Sequence, residues 1–191
     1  MTAATGGPGT TQTEPSLLGI YLNDHLAGAT GGSELVRRAA AGQQGSPSGP
    51  ALQQLADDIE QDREALLEIM KTLEVPVRQY KVYAAWAAEK VGRLKLNGHL
   101  LSRSPLSSLL ELEALRLGVE GKASLWRSLR QVADSRLDQA RLEQLLAAAE
   151  AQVRTLEEMR VQTAAQLLGG GDPASLAGRP ATSTSSWRCR T

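Results

Sequence analysis

The sequence predicts an all-α protein organised as a four-helix bundle, with a long connection between the second and third helices. Three observations carry that expectation. Four long segments repeat apolar residues at the helical period of about 3.6 rather than at strand alternation. Helix punctuation falls between them, as Gly49-Pro50, Pro76, Ser104-Pro105 and Gly169-Gly170-Gly171. No segment reads as a strand, and the 191-residue chain has no Phe and only 3% aromatic residues.

The first segment, about 16–41, puts Leu18, Leu22, His25, Ala29 and Val36 on one face. It also carries Gly19, Gly28, Gly31 and Gly32, each costing roughly 1 kcal/mol against Ala in a helix. Such a helix has to be held by packing, and glycines on a face suit close helix–helix approach. Gly42 and the loop that follows end it. The second segment opens at Gly49-Pro50, where Pro in the first turn gives up no hydrogen bond. Leu52, Leu55, Ile59, Leu66, Ile69 and Leu73 form its seam, interrupted by Asp62, and Pro76 stops it near residue 75. A shorter amphipathic stretch follows at about 77–94 with Tyr80, Tyr83, Ala87, Val91 and Leu94, ended by Asn97-Gly98.

The third helix is expected from Ser104-Pro105, a cap and a first-turn Pro, to about 133. Its seam runs through Leu109, Leu112, Val119, Trp126 and Leu129. The fourth is expected to begin at Ser135, with Asp138 three residues on as an approximate capping box. It continues through Leu142, Leu145, Ala149, Leu156 and Met159 to Gly169. Helices of about 25–35 residues span roughly 35–50 Å. Each has one apolar stripe, so none is stable alone and the four must pack together. Short joins imply antiparallel hairpins, while the 75–104 connection implies one long crossover. The bundle domain is thus placed at 16–169. Residues 1–15 and 170–191, rich in Gly, Thr, Ala, Ser and Pro, read as disordered tails, the second carrying Trp187 and Cys189.

Composition excludes several function classes. Lys+Arg and Asp+Glu both number 21, and this zero balance argues against a dedicated nucleic-acid binder. No apolar run is long enough for a membrane span. The first residues lack a basic n-region and an apolar h-region, so a cytoplasmic location is expected. One cysteine allows no intramolecular disulfide. There is no phosphate-binding Gly-rich loop and no Gly-x-Ser-x-Gly elbow. The Glu and Arg residues of helices 3 and 4, such as Glu150 with Arg154, describe salt-bridged solvated faces rather than an acid–base pair.

Interior polar candidates number one per helix: His25, Asp62, Glu113 and Gln152. With two hairpins and one long crossover, the chain resembles the ferritin-like superfamily over about residues 16–169. The di-iron members of that family draw one carboxylate from each of two helices and a Glu-x-x-His from each of the other two. Here Ala65 follows Asp62, and Thr155 follows Gln152, at the positions where those His ligands would stand. Glu113 matches a lone carboxylate and His25 replaces the other. The resemblance therefore implies the fold and not ferroxidase activity, with no cofactor required. Two readings of the four residues stand side by side. One is a reduced site in which His25, Asp62 and Glu113 hold a single divalent metal ion, as in an oxidative-stress protein. The other is a buried hydrogen-bond network that fixes helix register.

The crossover offers a basic surface, Arg78, Lys81, Lys90, Arg93, Lys95 and Arg103, interleaved with Tyr80, Tyr83 and Trp86. Such a surface suits phosphates and stacked bases, or the acidic second helix. Apolar positions outside the seam, Leu110, Leu117 and Leu125, point to association with a second copy or a helical partner. The function expected is that of a non-catalytic helical bundle acting through protein association.

Overall fold

The computed structural model describes residues 16–78 and 105–169, and these are helical with no strand among them. Four helices result: α1 (Leu17–Gly42), α2 (Gly49–Thr72), α3 (Pro105–Leu129) and α4 (Gln139–Leu168). The two tails, the amphipathic stretch expected at about 77–94 apart from its first two residues, the basic residues from Lys81 to Arg103 and the Ser104 cap lie outside the described residues.

Local chemistry sets the helix ends. Ser16 caps α1 by accepting the Gly19 N–H at 3.0 Å. Gly49-Pro50 opens α2 as the sequence predicts. After Thr72 the chain turns through Glu74, at a left-handed φ of 56°, and α2 stops four residues short of Pro76. The buried Asn23 of α1 then takes hold of it. Its amide donates to the Pro76 carbonyl at 3.2 Å, and its Oδ1 accepts the Arg78 N–H at 2.9 Å.

The α3–α4 junction corrects the sequence expectation at both ends. α3 stops at Leu129 rather than 133, and α4 is capped by Asp138 rather than Ser135. Asp134 is the reason. Its carboxylate accepts the Arg136 N–H at 3.0 Å and pairs with the Arg136 guanidinium at 2.7 Å, holding the chain in a turn where a helix would have to start. Leu137 and Leu142 are then both buried, at the two positions of a hydrophobic staple around the Asp138 cap. Those contacts hold the Asp134 carboxyl down to about 2, from an ordinary 3.8. Its contribution to stability is therefore present above pH 3.8 and lost as pH falls through about 2. A carboxyl-detected NMR titration should place its midpoint near 2 and move it up toward 3.8 after Arg136→Ala, which removes the guanidinium but keeps the backbone N–H that the carboxylate also accepts.

Ion pairs between helices give the topology. Arg37–Glu60 (2.8 Å) with the Arg63–Thr30 hydrogen bond (3.4 Å) shows α1 and α2 to be antiparallel, and Arg127–Glu150 (2.9 Å) with Arg116–Glu157 (2.9 Å) does the same for α3 and α4. Tyr21 donates to Ser128 at 3.2 Å, and Gln43 to Ser108 at 3.5 Å, so α1 and α3 are antiparallel too. It follows that α2 and α3 run in the same direction. The end of α2 and the start of α3 lie at opposite ends of the bundle. The hairpins meet chiefly through α1 and α3, while α2 and α4 make no comparable contact.

One core joins all four helices, with Leu22, Leu26, Val36, Met70, Trp126, Leu129, Ala149 and Leu156 fully shielded. The α1 stripe runs through Leu26 rather than through His25 and Ala29, which are half-buried. Met70, not Ile69, takes the deepest position near the end of α2. Leu125, read from sequence as surplus apolar surface, is 1% exposed and belongs to the core, whereas Leu117 is 68% exposed.

Candidate functional site

Asp62 interrupts the α2 seam and is buried beneath it. It meets Gln152 of α4, whose Nε2 donates to Asp62 Oδ2 at 2.9 Å. Between them stands Lys122 of α3, which the sequence reading did not single out. Its ammonium donates to Asp62 Oδ2 and to Gln152 Oε1, and its side chain is 13% exposed. The signal for Lys122 was available. Leu115, Val119 and Trp126 are all buried at helical spacing around it, so the period alone points it inward. A lysine at such a position is easily taken for a solvated residue whose stem covers apolar surface.

This triad ties α2, α3 and α4 together where α2 and α4 otherwise hardly meet. Burial pushes the Lys122 ammonium below its ordinary value of 10.5, and the attraction of Asp62 and Asp58 opposes that shift without cancelling it. Two of the three ammonium protons are used by Asp62 and Gln152, and no protein acceptor among the described residues takes the third.

His25 and Glu113 do not join the triad. His25 packs edge-on against Tyr21, with ring centroids 4.5 Å apart at 71°. Burial there lowers its pKa and Asp24 only partly opposes this, so the ring is neutral at pH 7. Glu113 is at the α3–α4 surface with its side chain 42% exposed, 3.9 Å from Arg160. His25, Asp62 and Glu113 thus do not converge. Among the described residues no three His, Cys, Asp or Glu side chains stand where they could hold a metal ion. Of the basic surface only Arg78 is described, and its backbone N–H is bound to Asn23.

Asp62 and Lys122 form part of the wall of a cleft of about 490 Å³ between α1, α2 and α3. Gly28 and Gly32 of α1 face Gly118 and Gly121 of α3 across it, and a Cβ added at any of the four would meet nothing within 4 Å. Close helix approach is therefore not the role of Gly28 and Gly32, which leave the cleft open, whereas the buried Gly19 does pack closely, with Val75 within 3.7 Å of where a Cβ would stand. Leu35, Ile59, Leu66, Leu115, Val119 and Leu125 supply an apolar interior, with Tyr21, Asp24 and His25 toward one end. A second cleft of about 570 Å³ lies between α2 and α4, with Leu55, Leu145 and Ala148 in its wall beside Asp58, Gln61 and Arg141. Asp62 borders both, so the triad is the partition between them.

The glycines make a stability prediction. Each costs about 0.5–1 kcal/mol in a helix interior, and here a methyl group meets no obstacle. Gly32→Ala and Gly121→Ala should each raise stability by that amount in thermal melts. A loss in either would show that the cleft is narrower in solution.

No protein-family profile matches the chain, and neither a curated protein nor a solved structure matches it. No helix of the described residues is long and apolar enough to cross a membrane.

Proposed function

We propose that the chain is a non-catalytic bundle of ferritin-like topology that works by association, and that the α1–α3 cleft receives a small, neutral, apolar molecule. The parallel run of α2 and α3 supports the topology, since it requires one long crossover between two antiparallel hairpins. The observation that carries the function is the four-glycine opening into an apolar interior. Its volume is in the range of small-molecule sites, and it is open without displacing a single side chain. Of the charges beside it, Arg63 is paired with Glu60 and Lys122 with Asp62, and the exposed Asp24 at one end, without an ion pair among the described residues, disfavours an anionic guest.

N-phenyl-1-naphthylamine, a neutral apolar dye, tests this. Saturable binding is expected with a Kd of about 10 μM, about −7 kcal/mol. Gly118→Leu, which places a side chain in the opening, should weaken it at least about tenfold while the helical circular dichroism is kept. Binding that is absent, or indifferent to Gly118→Leu, refutes the reading.

A second reading, association between copies, is favoured by Leu117, 68% exposed on the outer face of α3. Sedimentation at tens of micromolar, by order of magnitude, should then show a dimer that Leu117→Glu dissolves. A strict monomer counts against it.

A further inference from the structure

Resting on the reading of the cleft as a guest site, we propose that Lys122 is an amine nucleophile and that the guest class is apolar aldehydes and ketones, held as a reversible imine. Three features of the geometry converge on this. An amine side chain, 13% exposed, borders an apolar cleft of about 490 Å³ that a small molecule can enter. A carboxylate, Asp62, is hydrogen-bonded to that amine and is itself buried, so proton acceptor and nucleophile are held together before any guest arrives. Gln152 fixes both, accepting from Lys122 at 2.5 Å and donating to Asp62 at 2.9 Å. Burial that disfavours the ammonium brings the neutral amine within reach, as desolvated lysines require.

The chemistry balances without any outside reagent. Asp62 takes a proton from the Lys122 ammonium, and the freed amine attacks the carbonyl carbon. A C–N bond forms as the C=O π bond opens to an alkoxide, which takes a proton from the newly formed ammonium nitrogen to give a neutral carbinolamine. Asp62 returns its proton to the carbinolamine hydroxyl, the C–O bond breaks, and water leaves. The product is a protonated imine facing the Asp62 carboxylate, so one ammonium is exchanged for one iminium and the buried pair keeps its charge. Nothing is oxidised or reduced, and hydrolysis runs the same steps backward. Other buried polar groups offer less. Asn23 is engaged with Gly19 and with residues 76–78, and in the second cleft the Thr155 hydroxyl is taken up by the Ala151 carbonyl with no base beside it.

The test uses the full chain, 2-naphthaldehyde and sodium cyanoborohydride at pH 7, with modified residues located by peptide mapping. Lys122 is expected to be trapped at least about tenfold faster than the exposed Lys71 of α2. N-phenyl-1-naphthylamine should suppress trapping at Lys122 and leave Lys71 unaffected. Asp62→Asn, which keeps a hydrogen-bonding group but cannot return a proton to the carbinolamine hydroxyl, should slow trapping at Lys122 at least about tenfold, even though it leaves more of the amine neutral, while dye binding is kept. Dye binding without preferential trapping at Lys122 overturns the imine and leaves the cleft reading standing. Absence of both overturns the two together. Rapid trapping at Lys122 that persists in Asp62→Asn overturns the assignment of Asp62 as the base.

Discussion

Asp62→Ala is expected to destabilise the protein by about 3–5 kcal/mol, as removal of one partner from a buried ion pair does. The loss is large because of what stays behind. The Lys122 ammonium would keep only Gln152 as acceptor in a setting that already disfavours its charge. The Gln152 amide would lose its acceptor as well. For a chain of this size the melting temperature should fall by roughly 10 °C. Paired replacement separates this from a loss of packing. Asp62→Leu combined with Lys122→Met removes both charges, so the double variant should recover most of the deficit and give a coupling energy of a few kcal/mol in the mutant cycle.

The same variant has a definite pH signature. The folded-state pKa of Lys122 is lowered, so between that value and its ordinary 10.5 the unfolded chain binds more protons than the folded one. Stability contributed through Lys122 therefore rises with pH across that window and levels off above 10.5. Without Asp62 the attraction opposing desolvation is gone, and the window opens at lower pH. Chemical denaturation of Asp62→Ala at several alkaline pH values should show stability returning relative to the parent chain. A flat difference would mean that Lys122 is solvated.

Trp126→Ala is expected to cost about 3–5 kcal/mol, because the indole is completely buried where α3 meets α1 and the cavity left is large. Trp126→Phe should be far milder, below about 1.5 kcal/mol, for a specific reason. The Trp126 indole N–H is buried with no hydrogen-bond partner among the described residues. Leaving a buried donor unpaired carries its own penalty, so a phenyl ring gives up packing area but also removes that penalty. Equilibrium unfolding of the two variants checks both figures. A Phe variant as damaged as the Ala variant would show that the N–H is engaged in solution.

Much of the site was legible at the level of single helices. Asp62 and Gln152 stand at interior positions of strong apolar seams, and both are buried and bonded to each other. His25 and Glu113 were read by the same rule and lie at boundaries instead. An apolar stripe on a helix is about 100° wide or more, and one residue advances about 100°. A rotation of a few tens of degrees therefore moves a borderline residue from the core to the rim. Pairing decided these two: His25 settled on Tyr21, and Glu113 turned toward Arg160.

The sequence by itself determined the all-helical class, the places where α1 and α2 begin and end to within a few residues, and the seam that makes four helices pack. These follow from period, caps and breakers, which are local and act through backbone geometry. Tertiary structure alone decided the Lys122 triad and what the glycines do. A missing Cβ permits either a close helix contact or an open cleft, and local chemistry is the same for both. Only the placement of α3 opposite α1 set Gly118 and Gly121 across from Gly28 and Gly32 and left the space between them open.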